Sequence, residues 1–165
     1  MRRRWWWPTS YAPSVADIDI ATLRENGFAG VIIDLDNTLV AYHQLAPHQR
    51  DARWIIDAHE GGLRVIMVTN NATAWARGVA HNLGIPCIPN ARKPLPGGFR
   101  RALAILALPR DAVIVVGDQL FTDVLGARLV GLAAILVEPL AAHDPLNTRW
   151  LRQLERWLLR GLPRN

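Results

Sequence analysis

The sequence is poor in the residues that build cross-links and soft metal centres. Cys87 is the single cysteine, so no intramolecular disulfide and no cysteine-based zinc or iron–sulfur site can form. Its place in the short apolar stretch Ile85-Pro86-Cys87-Ile88 reads as a small buried hydrophobe in a reducing compartment. His43, His48, His59, His81 and His143 show no metal-ligand spacing and read as solvated or core residues. No apolar run approaches the roughly 18 residues that signal a membrane span. Arg2-Arg3-Arg4 resembles the start of a signal peptide, but Trp5-Trp6-Trp7 runs straight into Pro8-Thr9-Ser10 with no apolar stretch, so export is not expected. Lysine is scarce too: every cation but Lys93 is an arginine. A solvated loop lysine is the plain reading of Lys93, but its isolation suits a site that wants a compact ammonium.

What is present suits a globular chain. Half of the 165 residues are hydrophobic, enough for a sizeable core and too many for disorder. We expect one domain over residues 1–165, with a basic, aromatic, irregular leader over 1–13 and an amphipathic helix over 148–160. The net charge of +5 favours anionic partners: nucleic acid, a phospholipid surface or a phosphorylated substrate.

From Ser14 onward, helices and strands alternate. A short helix is expected within Ser14–Asn26. Strands are expected at Gly30–Asp34, Leu63–Val68, Pro86–Ile88, Ala112–Val116 and Ala133–Val137. Helices are expected at Pro47–Glu60, Ala72–Leu83, Gly97–Leu106 and Asp123–Val130, with glycines at several of their ends. Five apolar strands separated by helices predict an α/β fold with a parallel sheet covered on both faces.

Polar residues gather at the strand ends. The first strand runs into Asp34-Leu35-Asp36, the second into Thr69-Asn70-Asn71, the fourth into Gly117-Asp118-Gln119, and Arg92-Lys93-Pro94 follows the third. Asp-x-Asp alone describes a turn or cap with solvated acids equally well, and Thr69 could simply end a strand. Together the segments place acids, a hydroxyl, an amide and a lysine at one sheet edge, a setting for a phosphoryl group and a hard divalent cation.

These motifs, in this order, resemble the haloacid dehalogenase-like (HAD) phosphohydrolase superfamily. Leu35-Asp36-Asn37-Thr38-Leu39-Val40, Ala91-Arg92-Lys93-Pro94 and Gly117-Asp118-Gln119 through Thr122-Asp123-Val124-Leu125-Gly126 resemble the YqeG-like, subclass IIIA phosphatases. The resemblance implies a HAD-like Rossmannoid three-layer sandwich with a mainly parallel five-stranded sheet. It implies Asp34 as a nucleophile that forms an aspartyl-phosphate and Asp36 as acid and then base. It implies Thr69 hydroxyl and Asn70 backbone N–H as phosphate donors, and Lys93 as the charge-offsetting cation. Mg²⁺ would be held by Asp34, Asp118 and the Asp36 backbone carbonyl, with Asp123 supporting the metal shell. Asp123 also suits a helix N-cap. Superfamily ATPases carry Thr where this chain has Asp36, so the acid there argues for hydrolysis.

The segments from Asp36 to Thr69 and from Asn70 to Lys93 have no room for a cap domain, so an open site is expected. Open sites suit large substrates or head groups displayed on a surface. The leader pairs arginines with interfacial tryptophans. The C-terminal segment sets Trp150, Leu151, Leu154, Trp157 and Leu158 against Arg149, Arg152 and Arg156, which reads as surface binding or as a helix docked on its own core. The expected function is therefore Mg²⁺-dependent dephosphorylation of a phospholipid head group, phosphatidylglycerophosphate, at an anionic membrane surface on the cytoplasmic side. This reading borrows from YqeG-like relatives that act on that lipid. A nucleotide or nucleic-acid-end phosphatase is the alternative, disfavoured because no nucleic-acid recognition motif is present. A non-catalytic membrane-associated module comes after it.

Overall fold

The computed structural model describes residues 5–42 and 44–141. Arg2 to Arg4, His43, His143 and the segment expected as a C-terminal helix lie outside the described residues. The chain order is β1 (Ser10–Ala12), α1 (Ile20–Glu25), β2 (Gly30–Ile33), α2 (Gln49–Glu60), β3 (Arg64–Val68), α3 (Ala74–Asn82), β4 (Cys87–Ile88), α4 (Pro96–Leu106), β5 (Val113–Gly117), α5 (Leu125–Leu129) and β6 (Ala133–Val137).

All strand pairs are parallel, in the order β1-β6-β5-β2-β3-β4. Side chains alternate across a strand, and that parity sorts the core into two layers. Val31, Ile33, Val65, Met67, Ile114 and Val116 face one layer with Leu23 of α1, Trp54 and Ile55 of α2 and Val79 of α3. Ile32, Ile66, Val68, Val113 and Val115 face the other, with Phe99, Ala102 and Leu106 of α4 and Ala127 of α5. Both faces of the sheet are covered, so β2 and β5 are apolar and buried at every position, and β3 is so beyond Arg64.

The helix limits follow local chemistry. Pro47 precedes α2, and the His48 ring accepts the Arg50 N–H at 3.3 Å as its cap. Thr73 Oγ1 caps α3 by accepting the Ala76 N–H at 3.4 Å. Gly126 lets α5 pack on α4, since a Cβ there would lie 2.6 Å from the Phe99 ring.

The structure corrects two expectations. The sheet has six strands, not five: Ser10–Ala12, expected as part of an irregular leader, pairs with Ile135–Val137. The short helix expected within Ser14–Asn26 is α1; a 3₁₀ turn at Val15–Asp17 precedes it, and the Asp19 carboxylate caps it through the Ala21 and Thr22 N–H groups at 3.1 and 3.3 Å. Asp123–Val130, expected as one helix, is divided. A wide π-type turn over Leu120–Val124 precedes α5, so Asp123 sits inside the turn and is not an N-cap. Among the described residues no helix is long and apolar enough to cross a membrane.

Candidate active site

Parallel strands put all their carboxyl ends at one edge. The strand order reverses at β2: the chain continues to β3 and β4 on one side, then returns to β5 and β6 on the other. Such a switch point opens a crevice between neighbouring strand ends, the usual ligand position in open α/β sheets. Asp34 directly follows β2 and Asp118 directly follows β5. The ladder continues into Asp34, whose N–H donates to Val116 O at 2.9 Å, so its backbone is fixed.

Lys93 reaches this crevice from the β4–α4 connection. Its Nζ donates to Asp34 Oδ1 and to Asp123 Oδ1, each at 2.5 Å. All of these side chains are buried. Burial pulls the Lys93 pKa down, but the Asp123 and Asp34 carboxylates outweigh it and hold the ammonium well above its ordinary value. Burial also drives Asp123 up, to about 7, against the opposing pull of Lys93. Asp123 fits beside the end of β5 only because residue 117 is glycine: a Cβ there would lie 2.4 Å from the Asp123 carboxylate. The second Asp123 oxygen accepts the Gln119 N–H at 3.1 Å, and Gln119 Oε1 in turn accepts the Thr122 hydroxyl at 3.2 Å.

Carboxylate oxygens of Asp34, Asp118 and Asp123 lie within 4.8 Å of one another. An all-oxygen, buried, anionic set of this kind fits a hard divalent cation. Thr38 ties two of its members together. Its Oγ1 lies 3.2 Å from both Asp34 Oδ2 and Asp118 Oδ1 and accepts the Asp118 N–H at 3.1 Å.

The Asp36 carboxylate turns away from this group, toward β3. It accepts the Thr69 hydroxyl and the Asn71 side-chain amide, each at 3.1 Å. Burial raises its pKa; the Asn71 hydrogen bond works against that and the nearby Asp34 charge adds to it. The two aspartates of the Asp-x-Asp motif thus occupy different environments. Asp34 faces the ammonium and its fellow acids, while Asp36 is held by neutral donors.

All the expected site residues converge on this edge, and some have partners the sequence did not suggest. Thr69 Oγ1, expected as a phosphate donor, bonds Asp36 and accepts the Asn71 N–H at 3.0 Å. The Asn70 side chain clamps the Lys93 backbone reciprocally: its Oδ1 accepts the Lys93 N–H at 2.6 Å and its Nδ2 donates to Lys93 O at 3.1 Å. Asn71 joins Asp36 to the start of α3, since its Oδ1 accepts the Thr73 hydroxyl at 2.6 Å. Asn37, at φ +64, turns the chain after Asp36. It clips this loop to the segment beyond β6 through Leu140 N–H, Ala141 N–H and Ala141 O.

The sequence is 37% identical over 164 residues to the probable phosphatase YqeG of Bacillus subtilis, covering 99% of this chain and 95% of that protein. The chain belongs to the YqeG-like phosphatases of the HAD superfamily. The HAD-hydrolase-like family model matches residues 90–139 of this phosphatase, the stretch that carries Lys93, Asp118 and Asp123. The chain is also 28% identical to the chloroplastic phosphatidylglycerophosphate phosphatase 1 of Chlamydomonas reinhardtii, covering 93% of this chain and 61% of that protein. Against the chloroplastic/mitochondrial phosphatidylglycerophosphate phosphatase 1 of Arabidopsis thaliana the identity is 30%, over 88% of this chain and 46% of that protein. Solved structures agree on the fold. An uncharacterized Listeria monocytogenes protein matches with a TM-score of 0.56 at 17% identity, over 82% of this chain and all of that one. The cobalt-bound deoxy-D-mannose-octulosonate 8-phosphate phosphatase of Haemophilus influenzae matches with a TM-score of 0.57 at 14% identity, over 82% and 89%. The YqeG-like phosphatase thus has the expected HAD-like sandwich, and among its described residues no cap domain covers the strand ends.

Proposed function

We propose that this phosphatase hydrolyses phosphatidylglycerophosphate at a membrane surface, with Asp34 as nucleophile and Mg²⁺ as cofactor. The observation that carries the mechanism is the asymmetric environment of the two aspartates, Asp34 against the Lys93 ammonium and Asp36 against Thr69 and Asn71. Asp34, Asp118 and Asp123 offer the buried oxygen set for the cation. When bound, Mg²⁺ would supply positive charge that offsets repulsion between the Asp34 carboxylate and the phosphate.

Asp34 attacks phosphorus, forming the Asp34 O–P bond as the bond to the leaving oxygen breaks. Lys93 neutralises charge on Asp34 and on the spreading phosphoryl oxygens from a fixed position, which is worth most in a water-poor site. Asp36, whose burial keeps a proton on it to higher pH, gives that proton to the leaving glycerol oxygen. It then takes a proton from the water that attacks the aspartyl-phosphate, restoring Asp34 and releasing phosphate. Thr69 hydroxyl and the Asn70 backbone N–H hold phosphate oxygens in this scheme. Thr69 exchanges its bond to Asp36 for one to the substrate.

The lipid assignment rests on two supports. Relatives along nearly the whole chain are named phosphatidylglycerophosphate phosphatases. The uncapped edge suits a phosphomonoester displayed on a bilayer, where the surface itself excludes water. We place the enzyme at the cytoplasmic face of the membrane as a peripheral protein. The test is a substrate panel with Mg²⁺: phosphatidylglycerophosphate in mixed micelles, nucleotides, and 5′-phosphorylated oligonucleotides, each with an Asp34→Asn control. Preference for the lipid, abolished in the control, is expected. Preference for the nucleotides or oligonucleotides would replace the lipid reading with a nucleotide or nucleic-acid phosphatase.

A further inference from the structure

The catalytic edge carries exposed leucines on three separate connections. Leu45, in the β2–α2 connection, is 82% exposed; Leu95, in the β4–α4 connection, is 60% exposed; Leu140, just past β6, is 37% exposed. Because every strand is parallel, all these connections emerge at the edge that holds Asp34 and Lys93. They flank the site: Leu95 stands two residues beyond Lys93, and the Leu140 N–H donates to Asn37 O in the loop that carries Asp36. Gln44, the neighbour of Leu45 in the chain, and Leu140 line one hollow.

Single exposed leucines are ordinary, but these are also held outward. The local sequences are Leu45-Ala46-Pro47, Pro94-Leu95-Pro96 and Pro139-Leu140. Each proline fixes φ and removes a backbone donor, so the loops keep little freedom to fold the leucines back. The Trp75 indole N–H donates to Leu45 O at 2.8 Å and pins that loop to the start of α3. Leu95 occupies the N-cap position of α4 with no side-chain cap bond, where Ser, Thr, Asp or Asn would stabilise the helix. It therefore contributes no cap and leaves most of its surface in solvent.

The surrounding charge selects a partner. Arg92 beside Lys93 and Arg77 in the first turn of α3 are exposed. Arg50 at the start of α2 pairs with Asp17 at 3.1 Å, and Glu138 is an exposed acid at this edge. The whole chain carries +5. Exposed apolar tips among arginines match an anionic bilayer, where leucines enter the acyl boundary and guanidinium groups stay with the phosphates. The described part of the leader lies elsewhere: Trp5 to Trp7 precede β1, at the opposite edge, and Trp6 packs on the core layer beneath α4 and α5.

We infer that Leu45, Leu95 and Leu140 form a lipid-inserting rim that seats the open active site on an anionic bilayer. This deepens the proposed function and rests on it for the identity of the substrate, but the docking itself is testable without turnover. The experiment is flotation of the full chain with vesicles of phosphatidylcholine alone or of phosphatidylcholine with phosphatidylglycerol, comparing wild type with Leu45→Ser/Leu95→Ser. Wild type is expected to float with the anionic vesicles. The double variant should partition about tenfold less for each leucine removed. Both should hydrolyse a soluble aryl phosphate equally, which shows that the variant is folded. Flotation of the variant equal to wild type overturns the rim, as does absence of wild-type binding. Concentration-dependent dimers that the substitutions break would assign the leucines to a protein contact and overturn it too. If neither protein hydrolyses phosphatidylglycerophosphate but flotation differs as expected, the substrate reading fails and the rim stands.

Discussion

Replacing Lys93 with methionine removes a buried ammonium while keeping most of its stem. The ammonium bonds Asp34 and Asp123 at 2.5 Å each, and Asp118 belongs to the same carboxylate group. Without Lys93 these acids face one another with no protein cation between them. Breaking a buried pair from one side costs about 3–5 kcal/mol, and the shared ammonium means this cost is counted once. Typical domains have only about 5–15 kcal/mol of stability, so Lys93→Met should be severely but not always fatally destabilised. The loss should depend on pH in a defined direction. Asp123 already has its pKa raised to about 7 from 3.8 in the native state. A raised carboxylate pKa favours the native state fully below the unfolded value, and that contribution is lost as pH rises through the native value. Removing Lys93 takes away the cation that opposes this rise, so the native Asp123 binds its proton to still higher pH. Urea unfolding of wild type and Lys93→Met at about pH 5.5 and about pH 8.5 reads the effect. Destabilisation should be large at the alkaline pH and smaller at the acid pH, where a proton on Asp123 replaces the missing charge. A loss below about 1 kcal/mol, or one independent of pH, would refute the coupled cluster, since a solvated surface ion pair is worth no more than that.

Other perturbations separate the parts of the site. Asn70→Ala frees the Lys93 backbone from its reciprocal clamp; steady-state kinetics should show about a tenfold fall in kcat with KM little changed, and Asn70→Asp should recover part of it. Gly117→Ala drives a methyl into Asp123; thermal unfolding should report a loss of about 1–3 kcal/mol, with a higher divalent-cation requirement for activity. Asp36→Asn removes the proposed proton donor; the rate on an alkyl phosphate should fall by about 10²–10⁴-fold, and by less on an aryl phosphate whose leaving group needs no proton.

Legibility of the sequence varied with how local the deciding interaction is. The central strands could be read because burial on both faces demands unbroken apolar runs such as Val31-Ile32-Ile33 and Val113 to Val116. The edge strand β1 could not, since Ser10-Tyr11-Ala12 has no such run and is a strand only through its pairing with β6. Asp34, Asp36 and Asp118 stood out because charge at the end of an apolar strand is costly and conspicuous, and Lys93 because every other cation is an arginine. Asp123 looked like a cap because nothing local announces a π-type turn; Gly117, six residues earlier, is the signal that a bulky group closes on the strand end. The clamps made by Asn70 and Asn71 were hidden for another reason. The direction of a side-chain amide depends on the loop opposite, and Lys93 and Asp36 come from distant parts of the chain. The bridge that the Thr38 hydroxyl makes between Asp34 and Asp118 depends on two strand ends meeting in the fold, and nothing beside Thr38 in the sequence marks it.

The most direct test of the account is acid quenching of the enzyme during turnover of phosphatidylglycerophosphate labelled in its terminal phosphate, in Mg²⁺-containing mixed micelles. The account predicts a transient label on the peptide containing Asp34, absent in Asp34→Asn, with phosphate release that follows its decay. Phosphate released with no label on the enzyme, or released equally by Asp34→Asn, would contradict it.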